Sequence, residues 1–308
     1  MKLVACLLLA LAGLAQAQEG RFAFATREEA WAVLGAQDDY VRATTPLERR
    51  LVLRTPGHVD EREFADAMAS QVVEWPPQER AALRPVLARL EAFIAEMKWS
   101  GPQRILLVKA EQPLMNGFPH TRGNAIVLPR VMLSVAFQKP ELMDYLLPHE
   151  AFHVLSRANP ALREQLYRAI GFRACEKVEL PAGLAALRLT NPDAPQSRHA
   201  ITARRAGNRV EVLPFVHLES PNVDPRAGFA GQIRTVWLPV ERRGERCTAR
   251  DERLGLDELQ GIHEQVGRNT EYLIHPEEIL ADNFAYLFRP SPKLDSPEIL
   301  ERMRRILQ

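Results

Sequence analysis

The chain has 308 residues, with 40 Lys and Arg set against 39 Asp and Glu. The two signs are mixed along its length, so there is no basic stripe suited to nucleic acid and no polybasic tail aimed at lipid. An apolar fraction of 46% excludes a disordered or fibrous chain and is enough to build a sizeable core in one or two domains.

The first residues, Met1-Lys2, lead into an apolar run from Leu3 to Leu14 and then Ala15-Gln16-Ala17. A positive start, a short apolar run and a small-residue end read as a secretory signal peptide over residues 1–17. The run is shorter than the roughly 20 residues a bilayer span needs, and no later stretch qualifies. Export to the periplasm or the medium is therefore expected, with Cys6 lost on cleavage. Two cysteines remain, Cys175 and Cys247. In an exported chain an even count points to a disulfide, with two unpaired buried thiols as the alternative.

Residues 18–100 read as a helical N-terminal region. Thr26-Arg27-Glu28-Glu29 is an N-cap with acid in the first turn, and Asp60-Glu61-Arg62-Glu63 opens a second helix carrying Phe64, Met68 and Val72. Pro76-Pro77 precedes a long run striped by Leu83, Val86, Leu87, Leu90, Phe93, Ile94 and Met97. From residue 101 the pattern changes. Arg104–Lys109 and Asn124–Leu128 read as strands, the second after a turn at Arg122-Gly123. Helices are expected from Pro140, kinked or restarted at Pro148, and from Pro160 to about Ile170. Residues 173–250 lose helical periodicity and hold β-like runs at Val210–Leu213 and Thr235–Leu238, with a turn-rich segment at Asn191–Pro195. This stretch reads as a β-rich insertion within a catalytic domain spanning 101–308. Helices resume at Leu256–Val266, His275–Phe288 and Pro297–Ile306. Strands followed by helices define an α+β class.

One motif carries chemistry. His149-Glu150-Ala151-Phe152-His153 places two imidazoles four residues apart on one helix face, where they can hold one Zn²⁺, with Glu150 within reach of the attacking water. Glu150 is the expected general base. Ser156 and Asn159 stand where a longer His-containing motif would need glycine and histidine, so the third ligand must come from elsewhere. The helix opening His275-Pro276-Glu277-Glu278 offers Glu278 as that ligand, and Asp282, on the same face, as acceptor of an imidazole N–H, most simply that of His149. Glu277 is the rival ligand. Tyr272 is the first choice for a donor to the developing oxyanion and His275 the second. His58, His120, His199, His217 and His263 lack ligand spacing and read as structural or exposed.

On these two helices the chain resembles the gluzincin metallopeptidases, the thermolysin-like group with H-E-x-x-H on one helix and E-x-x-x-D on another. The resemblance implies His149, His153 and Glu278 as ligands of one zinc per chain, Glu150 as base and Asp282 as support. It also implies a small sheet whose edge strand borders the cleft, and Asn124-Ala125 resembles the edge-strand pair that binds substrate backbone. About 120 residues separate the two motifs, more than in compact members, and the insertion fills that gap. The expected activity is hydrolysis of peptide bonds outside the cytoplasm. The alternatives are hydrolysis of other amides or esters, and a non-catalytic, zinc-containing binding module.

Overall fold

A computed structural model describes residues 20–111, 117–229, 231–289 and 293–308. The signal-peptide expectation at 1–17 lies outside the described residues. The fold is mixed α+β, with two sheets. In the first sheet β1 (Phe22–Phe24), β3 (Ile105–Ala110) and β5 (Ala125–Pro129) run parallel, and β4 (His120–Arg122) closes one side antiparallel to β5. The short β2 (Val72–Val73) pairs antiparallel with the end of β3.

Strand geometry explains why this sheet is covered on both faces. Side chains alternate between faces, so Ile105, Leu107, Ile126 and Leu128 enter one core while Leu106, Val108, Ala125 and Val127 enter the other. The N-terminal helices, including Arg27–Leu34 and Glu61–Ala69, cover the second face. Capping boxes at Thr26 and Asp60 start those two helices as their sequences predict. The first face receives two helices central to the site. The motif helix is Met143–Ala158, and the acidic helix, packed along it, is Pro276–Phe288.

Residues 172–249 build the second sheet, in the order β6-β8-β9-β10-β11-β7. Its strands are β6 (Phe172–Ala174), β7 (Lys177–Glu179), β8 (His199–Arg205), β9 (Asn208–Leu218), β10 (Ile233–Arg243) and β11 (Arg246–Ala249). The β-like runs at Val210–Leu213 and Thr235–Leu238 lie inside β9 and β10. Cys175 and Cys247 form a disulfide inside this sheet's core, among Leu213, Phe215 and Leu238. A crosslink between residues 72 apart should contribute roughly 4 kcal/mol on the chain-entropy account. Chemical denaturation of a Cys175→Ser/Cys247→Ser double variant should show a loss of that order; unchanged stability would mean the sheet core alone fixes the insertion.

Four expectations are corrected. The helix from Asp60 ends at Ala69, and Val72 joins β2, because β-branched Val72-Val73 finds a partner in β3. Pro148 does not restart its helix, which runs unbroken through it. Buried Leu147, Ala151 and Phe152 hold the helix on either side of the missing hydrogen bond. Leu256–Val266 is not one helix but a 3₁₀ turn at Leu256–Glu258 and a short helix at His263–Val266, divided by Gly261 at φ +88°. Asn124-Ala125 does not form an edge. Asn124 lies in the turn joining β4 to β5, its side chain donating to the Arg104 carbonyl at 2.9 Å, and Ala125 is buried between β3 and β4. The antiparallel edge is β4.

A buried acid ties the N-terminal helices to the insertion. Glu48 is fully buried and caps its own helix with Thr45, while its other oxygen accepts the Thr190 N–H at 2.9 Å. Burial lifts its carboxyl from 4.5 to about 7, against the pull of the Thr190 and Thr45 hydrogen bonds. Because the folded value is raised, the contribution is full below about 4.5 and is lost as pH rises through about 7. That loss is up to roughly 3 kcal/mol. Denaturant titrations on either side of this window should show Glu48→Gln losing less stability than wild type as pH rises; parallel losses would remove Glu48 as the cause.

Candidate metal centre

Helical periodicity brings the motif histidines together. His149 and His153 point from one face of the motif helix, their ring centroids 4.8 Å apart, and both are buried. The acidic helix begins at Pro276, with His275 as its N-cap, and turns Glu278 and Asp282 toward them. Glu278 Oε2 lies 3.2 Å from His149 Nε2 and 3.6 Å from His153 Nε2. The ligand atoms of His149, His153 and Glu278 all fall within 4.8 Å of one another, a group able to hold a metal ion.

Each imidazole has a carboxylate behind it. Asp282 Oδ1 lies 2.8 Å from His149 Nδ1, at ion-pair distance rather than in ideal hydrogen-bond alignment. Tyr145, one helical turn before His149, donates to that same oxygen at 2.5 Å, and Thr270 donates to the other. Glu277 Oε1 lies 3.1 Å from His153 Nδ1, and Glu277 Oε2 accepts from Ser156 at 2.8 Å and from Tyr167. Of the two rival carboxylates, Glu278 therefore faces both Nε2 atoms and Glu277 stands behind His153.

The charges around this group explain the proton affinities. Burial alone disfavours the charged forms of both histidines. For His149, the contacts with the Asp282 and Glu278 carboxylates overcome it and raise the pKa well above 6.5. For His153 burial is outweighed by the charges of Glu278 and Asp193, and the result is about 9. Burial, then Asp193, lifts Glu150 to about 8. Glu150, Asp193, Glu277, Glu278 and Asp282 thus crowd two imidazoles, so even doubly protonated histidines leave a formal excess of negative charge. A divalent cation fits that deficit. Two buried polar atoms without hydrogen-bond partners, His153 Nε2 and Glu150 Oε2, fit it as well. An orphaned buried polar atom costs about 1–3 kcal/mol, and coordination or contact with a metal-held water would recover it.

Tyr272 is half-exposed at 48%. Loss of solvent around its hydroxyl, then the charges of Glu278, Asp193, Asp282 and Glu150, raises its pKa, so the group stays a proton donor at neutral pH. His275 is buried, and its Nδ1 accepts the Glu277 N–H at 3.1 Å as the helix cap. Four of the lone histidines have structural partners: His120 contacts the Phe118 carbonyl, His199 contacts Glu164, His217 the Leu218 carbonyl and His263 the Gly267 carbonyl. His58 is exposed.

No residue pattern singles out Asn191 and Asp193. Asn191 Nδ2 donates to Glu278 Oε1 at 2.6 Å. Asp193 Oδ1 accepts from the Thr121 N–H at 2.6 Å and from its hydroxyl at 2.7 Å. An oxygen of Asp193 also lies within 4.8 Å of ligand atoms of Glu150 and His153. Both residues sit in a proline-punctuated turn segment with no motif spacing, so only tertiary structure places them. Tyr145 and Ser156, by contrast, were readable as neighbours of His149 and His153 on one helix face. No protein-family description, curated protein or solved structure matches this chain.

Proposed function

We propose that this chain is an exported single-zinc hydrolase and that the bond it cleaves is a peptide bond. The observation that carries this reading is the convergence of His149, His153 and Glu278 beside the unpartnered carboxylate oxygen of Glu150. Two imidazoles and one carboxylate are the ligand set of catalytic zinc sites, which leave one position for water or substrate. A zinc ion held there would polarise the scissile carbonyl and bring the pKa of the attacking water toward about 7. Glu150 takes the proton of that water and passes it to the leaving nitrogen. Tyr272 supplies a hydrogen bond to the oxygen that gains charge. Asp282 and Glu277 fix the two imidazoles in orientation and tautomer.

The strand edge favours a peptide over another amide or an ester. β4 borders the motif helix and, among the described residues, has no strand on its outer side, and such an edge accepts an extended chain by backbone pairing. Export is supported by the Cys175–Cys247 disulfide, which oxidising compartments preserve. Among the described residues no helix is long and apolar enough to cross a membrane.

One observation favours a second reading. Asp193, Glu150 and His153 form a second group able to hold a metal ion, and a metal held there would engage the base and be structural, as in a binding module. The reconstituted protein should take up one zinc per chain and cleave an unfolded protein substrate, with activity lost to a chelator and restored by zinc. Zinc uptake without cleavage would favour the binding module, and no uptake would sink both readings.

A further inference from the structure

Resting on the hydrolase reading, we propose that the segment Pro192–Gln196 is a built-in strap that occupies the substrate's place on the edge of β4, with Asp193 held beside the base Glu150 and the ligand His153. The strap lies against the outer edge of β4. Thr121, whose partner on the inner side is Ile126 of β5, gives its N–H to Asp193 instead of to another strand. An extended substrate lying on this edge would compete for the same N–H.

The strap's hold on β4 rests on few and replaceable contacts. Pro192 and Pro195 have no N–H, so the segment cannot form a backbone ladder with β4. It grips the edge through the Asp193 side chain, while Arg157 of the motif helix donates to the Asp193 carbonyl at 3.1 Å and to Thr121 Oγ1 at 2.8 Å. A substrate strand with both donors and acceptors would form more bonds on the edge than the strap does. The carboxylate of Asp193 meanwhile has an oxygen within 4.8 Å of ligand atoms of Glu150 and His153, the base and a ligand. A side chain placed so stands where the attacking water and the scissile carbonyl must both come.

The strap also has firm anchors and room to move. Just before it, Thr190 is tied to Glu48 and Ala43, and Asn191 to Glu278, so displacement need not disturb the ligand set. Pro192–Gln196 also lines a cavity of about 490 Å³ shared with Arg163 and Arg198. Neither arginine has an ion pair among the described residues, so a displaced Asp193 would meet a guanidinium there.

The test compares wild type, Asp193→Ala and Asp193→Asn, each loaded with cobalt as a spectroscopic substitute for zinc. Three readouts are taken: hydrogen exchange of the Thr121 amide, the cobalt absorption spectrum, and cleavage of an unfolded protein. In wild type the Thr121 amide should be protected; in Asp193→Ala it should exchange freely. The cobalt spectrum should change in both variants, as a negative charge beside Glu150 and His153 is lost, with metal affinity falling less than about tenfold. Cleavage by Asp193→Ala should rise about tenfold or more as the occluded fraction is released. If Asp193→Ala does not fold, Asp193→Asn, which can keep the Thr121 contact, still reports through the cobalt spectrum. Unchanged Thr121 exchange and an unchanged cobalt spectrum would overturn the strap. So would loss of both metal and activity, which would make Asp193 a permanent ligand. If exchange and spectrum respond but neither wild type nor variants cleave, the strap stands as a gate on the metal and the hydrolase reading fails.

Discussion

Glu150→Gln is expected to bind one zinc as wild type does and to lose turnover on the order of 10²–10⁴-fold, the range for removing a positioned general base. This corresponds to about 3–5 kcal/mol of lost transition-state stabilisation. The effect should be large because Glu150 is buried and its Oε2 has no hydrogen-bond partner, so no structural bond depends on that oxygen. Glutamine preserves the volume but cannot accept and return a proton. Metal analysis beside steady-state cleavage of a peptide checks this, and wild-type turnover in Glu150→Gln would remove the residue from the mechanism.

The second large effect concerns the two adjacent glutamates. Glu278→Ala should weaken metal binding by more than about 100-fold, because Oε2 faces both histidine Nε2 atoms. Glu277→Gln should weaken it only about 10–100-fold, because Glu277 reaches His153 through Nδ1, on the side of the ring away from the group. Glu277 also satisfies Ser156 and Tyr167, so this variant should lose stability, at about 1–3 kcal/mol for each buried donor left unpaired. Zinc titration and thermal unfolding of both variants separate the roles. Unchanged zinc affinity in Glu278→Ala would pass the ligand role to Asp193 or Glu277.

Much of the helical structure around the site was legible because helix signals are local. Capping residues at Thr26 and Asp60, the proline at Pro276 and the four-residue spacing of both motifs act within a few positions of the chain. The same locality explains the errors. The apolar periodicity that carried a helix on to Val72 could not register the partner strand β3, and the periodicity over Leu256–Val266 was overridden by Gly261. Of the first sheet, β3 and β5 were readable as apolar runs, whereas three-residue β1 and β4 exist only because neighbours pair with them.

Residue order alone sets the helix faces: His149 and His153 share one, Glu278 and Asp282 share another, and Glu150 sits beside the first pair. These are properties of the 3.6-residue helical repeat and need no partner. Tertiary structure alone decided which of Glu277 and Glu278 meets both imidazoles, since a rotation of the acidic helix by one residue would exchange them. It alone decided that β4 rather than Asn124-Ala125 is the free edge, because strand order is a long-range matter of pairing. It alone brought Asn191 and Asp193, from a turn segment far from both motifs, against Glu278, Glu150 and His153. Contacts of that separation are fixed by the packing of whole elements, and no local pattern of residues encodes them.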